Sequence, residues 1–359
     1  MTLFEPLRLR ERSLRNRIVM SPMSQHRAGA DGAPTDWHLV HYGSRAVGGC
    51  GTILLEDTAV APEARTSHAA LGLYDEARLG AFRRVVDFCH AQGATVGLQL
   101  AHAGRKAFRD TRGAEGLLSA SSEPFAEGWA TPTAADQAAL AGVTAAFAGA
   151  ARLALAADFD LIEVHAAHGY LLQQFLSPLT NLRDDGYGGD LAGRSRLLLE
   201  TVEAVRSQWP AERPLLVRLP AGDGASNGST VAEMAEVARS CARRGADLID
   251  IAGGTPIFAG RQVGLQEMLD FAAMLRAGEP AVPFALGGVT DGPAAEELLN
   301  TSGAALLTIG RPLLANPYWT LAAASELGVK SSPGAAYMDG LSGGDFLTTS
   351  SSGNFPIIQ

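Results

Sequence analysis

Residues 161–172 read LIEVHAAHGYLL. A run of strand length and apolar character stops abruptly at His165 and His168, three residues apart, and Tyr170 follows. Short Val-, Ile- and Leu-rich runs without polar alternation suit parallel strands buried on both faces. The same unit recurs along the chain at Ile18–Met20, Thr52–Leu55, Thr95–Leu100, Leu161–Val164, Leu215–Val217, Leu248–Ile251, Val282–Leu286 and Ala305–Ile309. Helical patterning follows most of them. Glu76–Gln92 ends at Gly93, Asp136–Ala157 opens on a good capping residue, Arg194–Gln208 stops before Trp209-Pro210, and Thr230–Arg244 ends at Gly245. Eight such units predict an α/β fold closed into a (β/α)8 TIM barrel. An open doubly wound sheet would not need eight units of such even spacing.

One barrel is expected over residues 1–330, with 103–133 a long capping loop after the third strand. Residues 331–359 are rich in Gly, Ser and Thr, carry no Lys or Arg, and are expected to be only partly ordered. At 47% hydrophobic over 359 residues the chain has material for one large core. Cys50, Cys89 and Cys241 have no paired spacing and fit a reducing compartment. The N-terminal MTLFEPLRLRERSLRNR is too charged for a signal peptide, and no run of about eighteen apolar residues is apparent. A net charge of −9 speaks against nucleic acid. A cytoplasmic protein without membrane or nucleic-acid partners is the expectation.

Catalytic groups of such barrels collect at the C-terminal ends of the strands. Those ends carry Ser21-Pro22-Met23-Ser24, Glu56-Asp57, Gln99 with His102, His165 with His168 and Tyr170, Arg218, Gly253-Gly254, Gly287-Gly288, and Gly310-Arg311. If the chain tightens into a helical turn after Val164, His165 and His168 face the same way. Two imidazoles and a phenol could then grip and protonate an oxygen substrate. A zinc pair would need a third ligand that no Cys- or His-rich motif offers, and two ordinary core histidines are the bland alternative. Glycine pairs after strands six to eight, with Arg311, suit a phosphate. No G-x-G-x-x-G or P-loop follows any strand. Gln99 and Arg218 answer the needs of a flavin, whose pyrimidine edge alternates donors and acceptors and becomes anionic on reduction. Arg218 neutralising a buried carboxylate is the structural alternative.

Several long motifs carry a resemblance: LRNRIVMSPMS (14–24), WHLVHYGSRAVGG (37–49), GLQLAHAGRKA (97–107), FDLIEVHAAHGYLLQQFLSPLTNLRDDGYGGDLAGR (159–194), LGGVTD (286–291) and IGRPLLANP (309–317). With these, the chain resembles the old yellow enzyme family of FMN-dependent ene-reductases, nearest to its bacterial thermophilic-like subgroup. The resemblance implies that Ser21, Pro22, Met23, Ser24, Asp57, Gln99, Arg218, Gly288, Gly310 and Arg311 line FMN. It also implies that His165 and His168 hold a substrate carbonyl oxygen, that Tyr170 donates the proton, and that NADPH or NADH is the reductant. The implied reaction is reduction of the C=C bond of small-molecule α,β-unsaturated carbonyl compounds.

Four departures stand out against that pattern. Ser24 replaces a usual cysteine and His26, in the substrate-binding region, a usual tyrosine. Asp57 replaces a small uncharged residue; its carboxylate either faces the flavin and lowers its potential or points away. No basic residue follows Lys330, so the arginine that many members send into a neighbouring subunit has no counterpart. A homodimer here would have to do without that contact, and Tyr337 and Phe346 are the candidates to take its place. Arg105–Arg112 either receive an anionic part of the cofactor or substrate or form a solvated loop. Alternatives on the same scaffold are a pathway-specific dehydrogenase, an aromatising enzyme or an isomerase, and a flavin-binding protein without turnover.

Overall fold

The computed structural model describes residues 2–108, 116–253 and 263–329. Eight parallel strands close on themselves: β1 Ile18–Met20, β2 Thr52–Ala59, β3 Thr95–Ala101, β4 Leu161–His165, β5 Leu215–Pro220, β6 Leu248–Ala252, β7 Phe284–Gly287 and β8 Leu306–Ile309. Register runs unbroken through the β5–β6 and β8–β1 pairs that complete the ring. The predicted (β/α)8 barrel is what forms.

The helices outside follow the capping chemistry in the sequence. α1 is Asp36–Val47 and α2 is Leu79–Ala91, entered through a 3₁₀ turn that Asp75 caps. α3 is Gln137–Ala156, where the Asp136 carboxylate accepts from the N–H of Ala139. α4 is a short extra helix, Leu171–Leu176, and α5 is Leu191–Gln208. α6, Val231–Arg243, starts in a Thr230/Glu233 capping box. α7 Leu265–Arg276, α8 Gly292–Ser302, α9 Arg311–Ala315 and α10 Trp319–Glu326 complete the ring.

Two expectations change. By length and composition α3 is apolar enough to cross a membrane, against the reading that no such run exists. Its apolarity is largely alanine, and Leu140, Val143, Phe147 and Leu153 are buried as it packs on α5 and β3. Strand seven begins at Phe284 rather than Val282, since Pro283 has no N–H to give the ladder.

Alternate residues point along the barrel axis. Near the strand starts, Val19, Leu54, Leu161, Leu216, Leu248, Ala285 and Leu306 form one apolar layer. An N-terminal hairpin, Leu7–Leu9 against Arg12–Leu14, closes that end with Leu14 fully buried. Two residues further along the strands the layer changes character to Ser21, Gln99, Glu163, Arg218, Asp250, Gly287 and Thr308. Apolar floor and polar ceiling therefore share the same strands, and the polar layer faces the C-terminal mouth.

β2 carries a bulge. Leu55 pairs with Leu98 and Thr58 with Leu100, so Glu56 and Asp57 together occupy the space opposite Gln99. Glu56 turns outward, accepting from the Tyr42 hydroxyl at 3.1 Å with His38 Nε2 at 3.4 Å. Asp57 instead meets Ser24 and Thr66.

Candidate active site

The histidines converge, though not through a helical turn. His165 is the last residue of β4, and the chain then reverses through left-handed residues, His168 at φ 58° and Gly169 at φ 71°. A non-glycine residue there is strained and is held by its surroundings. Lys106 Nζ donates to the His168 carbonyl at 2.7 Å, the N–H of Gly169 donates to Gln173 Oε1 at 2.7 Å, and Gln174 Nε2 donates to the Gly169 carbonyl at 2.8 Å. His102 joins the clamp, its carbonyl accepting from the N–H of Leu171 at 2.9 Å. As a result His165 Nε2 and His168 Nδ1 lie 3.1 Å apart, and the Tyr170 ring packs edge-on against His165 with centroids 5.0 Å apart.

Burial, the neighbouring His168 and the charges of Arg218 and Lys106 push the His165 imidazole far below its ordinary range. Burial and the same two cations push His168 down to about 3, against a backbone hydrogen bond at Gly253. Both rings are therefore neutral near pH 7 with one N–H apiece, and without a ligand those protons serve the 3.1 Å contact between the rings and the backbone at Gly253. His165 Nδ1 is buried without a hydrogen-bond partner.

Below this turn lies the polar layer. Gln99 Nε2 donates to Glu163 Oε1 at 2.7 Å, Arg218 Nε lies 3.2 Å from Asp250 Oδ2, and Arg218 Nη2 lies 3.5 Å from Ser21 Oγ. The expectation that Arg218 neutralises a carboxylate is thus met by Asp250, while its side chain also faces Ser21 across the barrel. Glu163 and Asp250 are the residues that the sequence reading misses. A carboxylate in the middle of an otherwise apolar strand, LIEVH or LIDIA, is the signal that finds them, since burying one without a purpose is costly.

On the β1–β2 side, the Ser24 hydroxyl donates to Asp57 Oδ1, and Thr66 Oγ1 donates to Asp57 Oδ2 at 3.0 Å. His26, at φ 51°, bonds through Nδ1 to Ser67 Oγ at 2.8 Å. Ser24, His26 and Asp57 are thus tied to the loop after β2, and Pro22 is buried beside Ser21. On the opposite wall the glycines after strands six, seven and eight differ. A side chain at Gly253 would meet Met268 Sδ at 2.6 Å, so that glycine serves packing, and Gly254 lies outside the described residues. A Cβ at Gly288, at φ 106°, would meet only Leu265 Cδ1, at 3.7 Å. A Cβ at neighbouring Gly310 would sit 3.4 Å from Met23 Sδ, and Arg311 beside it is exposed.

The loop after β3 also divides. Arg105 is fully buried and donates to the carbonyls of Glu123 at 3.1 Å and Pro124 at 3.4 Å. It anchors the loop and is not available to an anionic ligand, contrary to the expectation for the Arg105–Arg112 group. Arg109 and Arg112 lie outside the described residues, as do the tail from Ser331 and its Tyr337 and Phe346. Cys50, Cys89 and Cys241 are free and buried. Among the described residues no three His, Cys, Asp or Glu side chains converge as metal ligands.

The donor set fits FMN. A buried guanidinium and an amide share the floor, and glycine backbone beside an exposed arginine forms one wall. A family model described as NADH:flavin oxidoreductase / NADH oxidase matches residues 2–329. An NADPH dehydrogenase of Geobacillus sp. (strain WCH70) is 40% identical over 94% of this chain and 98% of its own. One of Listeria monocytogenes serotype 4a (strain HCC23) is 41% identical over 91% and 95%. Among solved structures, morphinone reductase superposes with a TM-score of 0.78 at 28% identity, covering 92% of this chain and 91% of that one. That enzyme has also been solved in complex with tetrahydroNAD. With mouth chemistry, fold and relatives in agreement, the chain belongs to the NADH:flavin oxidoreductase / NADH oxidase family, the old yellow enzymes, as an FMN-dependent NAD(P)H oxidoreductase.

Proposed function

We propose that the protein reduces the C=C bond of small α,β-unsaturated carbonyl compounds, with Tyr170 as proton donor. The observation that carries this reading is the convergence of two neutral imidazoles and a phenol at the end of β4. In it, residues 1–330 act as one FMN-binding unit. Ser21, Pro22, Met23, Ser24 and Asp57 would line one side of FMN, Gln99 and Arg218 its pyrimidine edge, and Gly288, Gly310 and Arg311 its phosphate. When bound, FMN supplies the hydride for the substrate's β-carbon and is replenished by NADPH or NADH.

The remaining work falls to the chain. His165 and His168 hold the substrate carbonyl oxygen where their ring nitrogens converge, with the N–H that now lies between the rings turned to it, and stabilise the negative charge that develops there. Neutral imidazoles suit the task, since they stay hydrogen-bond donors across the working pH range without a proton to lose. Tyr170 gives its hydroxyl proton to the α-carbon as general acid. His26 shapes the substrate side of the mouth. A second reading, a dehydrogenase, aromatising enzyme or isomerase, is favoured by one observation: the buried Asp57 carboxylate that Ser24 and Thr66 bond is a proton-accepting group outside the His/Tyr cluster.

The test is anaerobic. Photoreduced protein is mixed with cyclohexenone and flavin reoxidation is followed. Rapid reoxidation is expected, and the double variant His165→Ala/His168→Ala should slow it by at least about 10²-fold while retaining FMN. Bound FMN with negligible reoxidation by a panel of electrophilic alkenes would turn the assignment to the second reading.

A further inference from the structure

Inside the barrel, directly under the mouth, two acids face one base. β3 and β4 place Gln99 opposite Glu163, and β5 and β6 place Arg218 opposite Asp250. Glu163 and Asp250 have no exposed surface, and Gln99 is 2% exposed. The other elements packed on this layer contribute Ser21 from the end of β1, Gly287 from β7, Thr308 from β8 and the neutral ring of His165 above. Lys106 reaches the His168 carbonyl, and Asp57 is bonded by Ser24 and Thr66. The layer thus holds one cation and two carboxyls.

Were both carboxyls ionised, a net negative charge would lie in a dry interior, which is costly. The hydrogen bonding gives the same answer. Glu163 Oε2 is buried and accepts no hydrogen bond from a neighbouring donor, and Asp250 Oδ2 has only the Arg218 Nε ion pair at 3.2 Å, while each carboxylate's other oxygen accepts one, from Gln99 and from Thr308 at 3.4 Å. One proton supplies the missing donor and removes the excess charge together.

We propose that Glu163 and Asp250 hold one proton between them, resident on Glu163, and that this pair governs the charge beneath the bound FMN through Gln99 and Arg218. Glu163 is thus a positioning residue for the flavin. Burial, then repulsion from Asp250, lifts its carboxyl from an ordinary 4.5 to about 8. Burial also raises Asp250, opposed by Arg218, by the Thr308 hydroxyl and by the hydrogen bond from Glu163, so Asp250 keeps the negative charge. Negative charge arriving beside Arg218 weakens its hold on Asp250 and raises the proton affinity of the pair. Charging the site and binding a proton are then linked.

The inference rests on Gln99 and Arg218 being neighbours of FMN, and its test separates the two parts. In flavin-free protein labelled with ¹³C-glutamate, infrared spectroscopy should show a buried protonated glutamic acid at pH 7 that ionises near pH 8 and is missing in Glu163→Gln. Absence of that band from the unsubstituted protein overturns the proposal, whether or not the variant folds. In the FMN-loaded protein, the midpoint potential should fall more steeply with pH above about 8 than below it, and Glu163→Gln should remove the break. A straight line in the unsubstituted protein, or the same break in Glu163→Gln, would show that the pair does not act on the flavin. Neither result touches alkene reduction, which the cyclohexenone assay reports. Stability gives a further check. The native pair keeps a proton that an unfolded glutamate releases above about 4.5, so stability falls as pH rises from there toward 8. Glu163→Gln flattens that segment, and an unchanged profile counts against the proposal.

Discussion

The two ends of the barrel interior are built on the same strands and do opposite things. At the closed end, seven apolar residues and a hairpin leucine fill the axis. Two residues further along, the axis holds Gln99, Glu163, Arg218 and Asp250, with an excess of acid over base and Glu163 Oε2 buried without a donor. The first layer is what packing alone would choose. The second is tolerated for a ligand that completes it, in keeping with local rules being broken at functional sites. A strand thus changes purpose within two residues, and its generally apolar make-up conceals the change.

Substitutions at the two ends should separate cleanly. The largest effect is expected at the mouth: Tyr170→Phe should slow flavin reoxidation by an alkene by about 10²–10⁴-fold, the range of general acid catalysis. Stopped-flow absorbance checks this, and thermal unfolding should hardly move. At the closed end, Leu216→Ala should cost about 2–5 kcal/mol in urea unfolding through the cavity it leaves, with the half-reaction rates kept. A rate loss as deep as the stability loss would break the comparison, since it would mean that the closed end positions the site. The smallest effect is expected from Asp57→Ala. Removing a buried negative charge near the mouth should raise the flavin potential by about 30 mV, equivalent to about 1.4 kcal/mol for a two-electron couple. Redox titration measures it, and an unchanged potential would detach the Asp57 carboxylate from the flavin.

Much of this was legible in the residues, and the remainder was hidden for physical reasons. All eight strands are where the apolar runs lie, because a parallel strand buried on both faces needs such a run. Their ends shift where backbone chemistry intervenes, as at Pro283. His165, His168 and Tyr170 come together as expected, but the route is invisible to periodicity: helical spacing predicts a turn of helix, whereas the chain uses a left-handed His168 that Lys106, Gln173 and Gln174 hold. Glu163 and Asp250 escape notice because three apolar neighbours in LIEVH and four in LIDIA mask a single acid. Arg105 looks like a ligand-binding cation until its burial against the Glu123 and Pro124 carbonyls is seen.

The extra residue in β2 has a consequence for how this mouth can be retuned. Without the bulge, neighbours on a strand take opposite faces, so a change at one alters the footing of the next. Here Glu56 is latched to Tyr42 in the wall while Asp57, released by the bulge, is bonded by Ser24 and Thr66. A designer could therefore exchange residue 57 together with its partners Ser24 and Thr66, leaving the Glu56 latch to keep the strand in place.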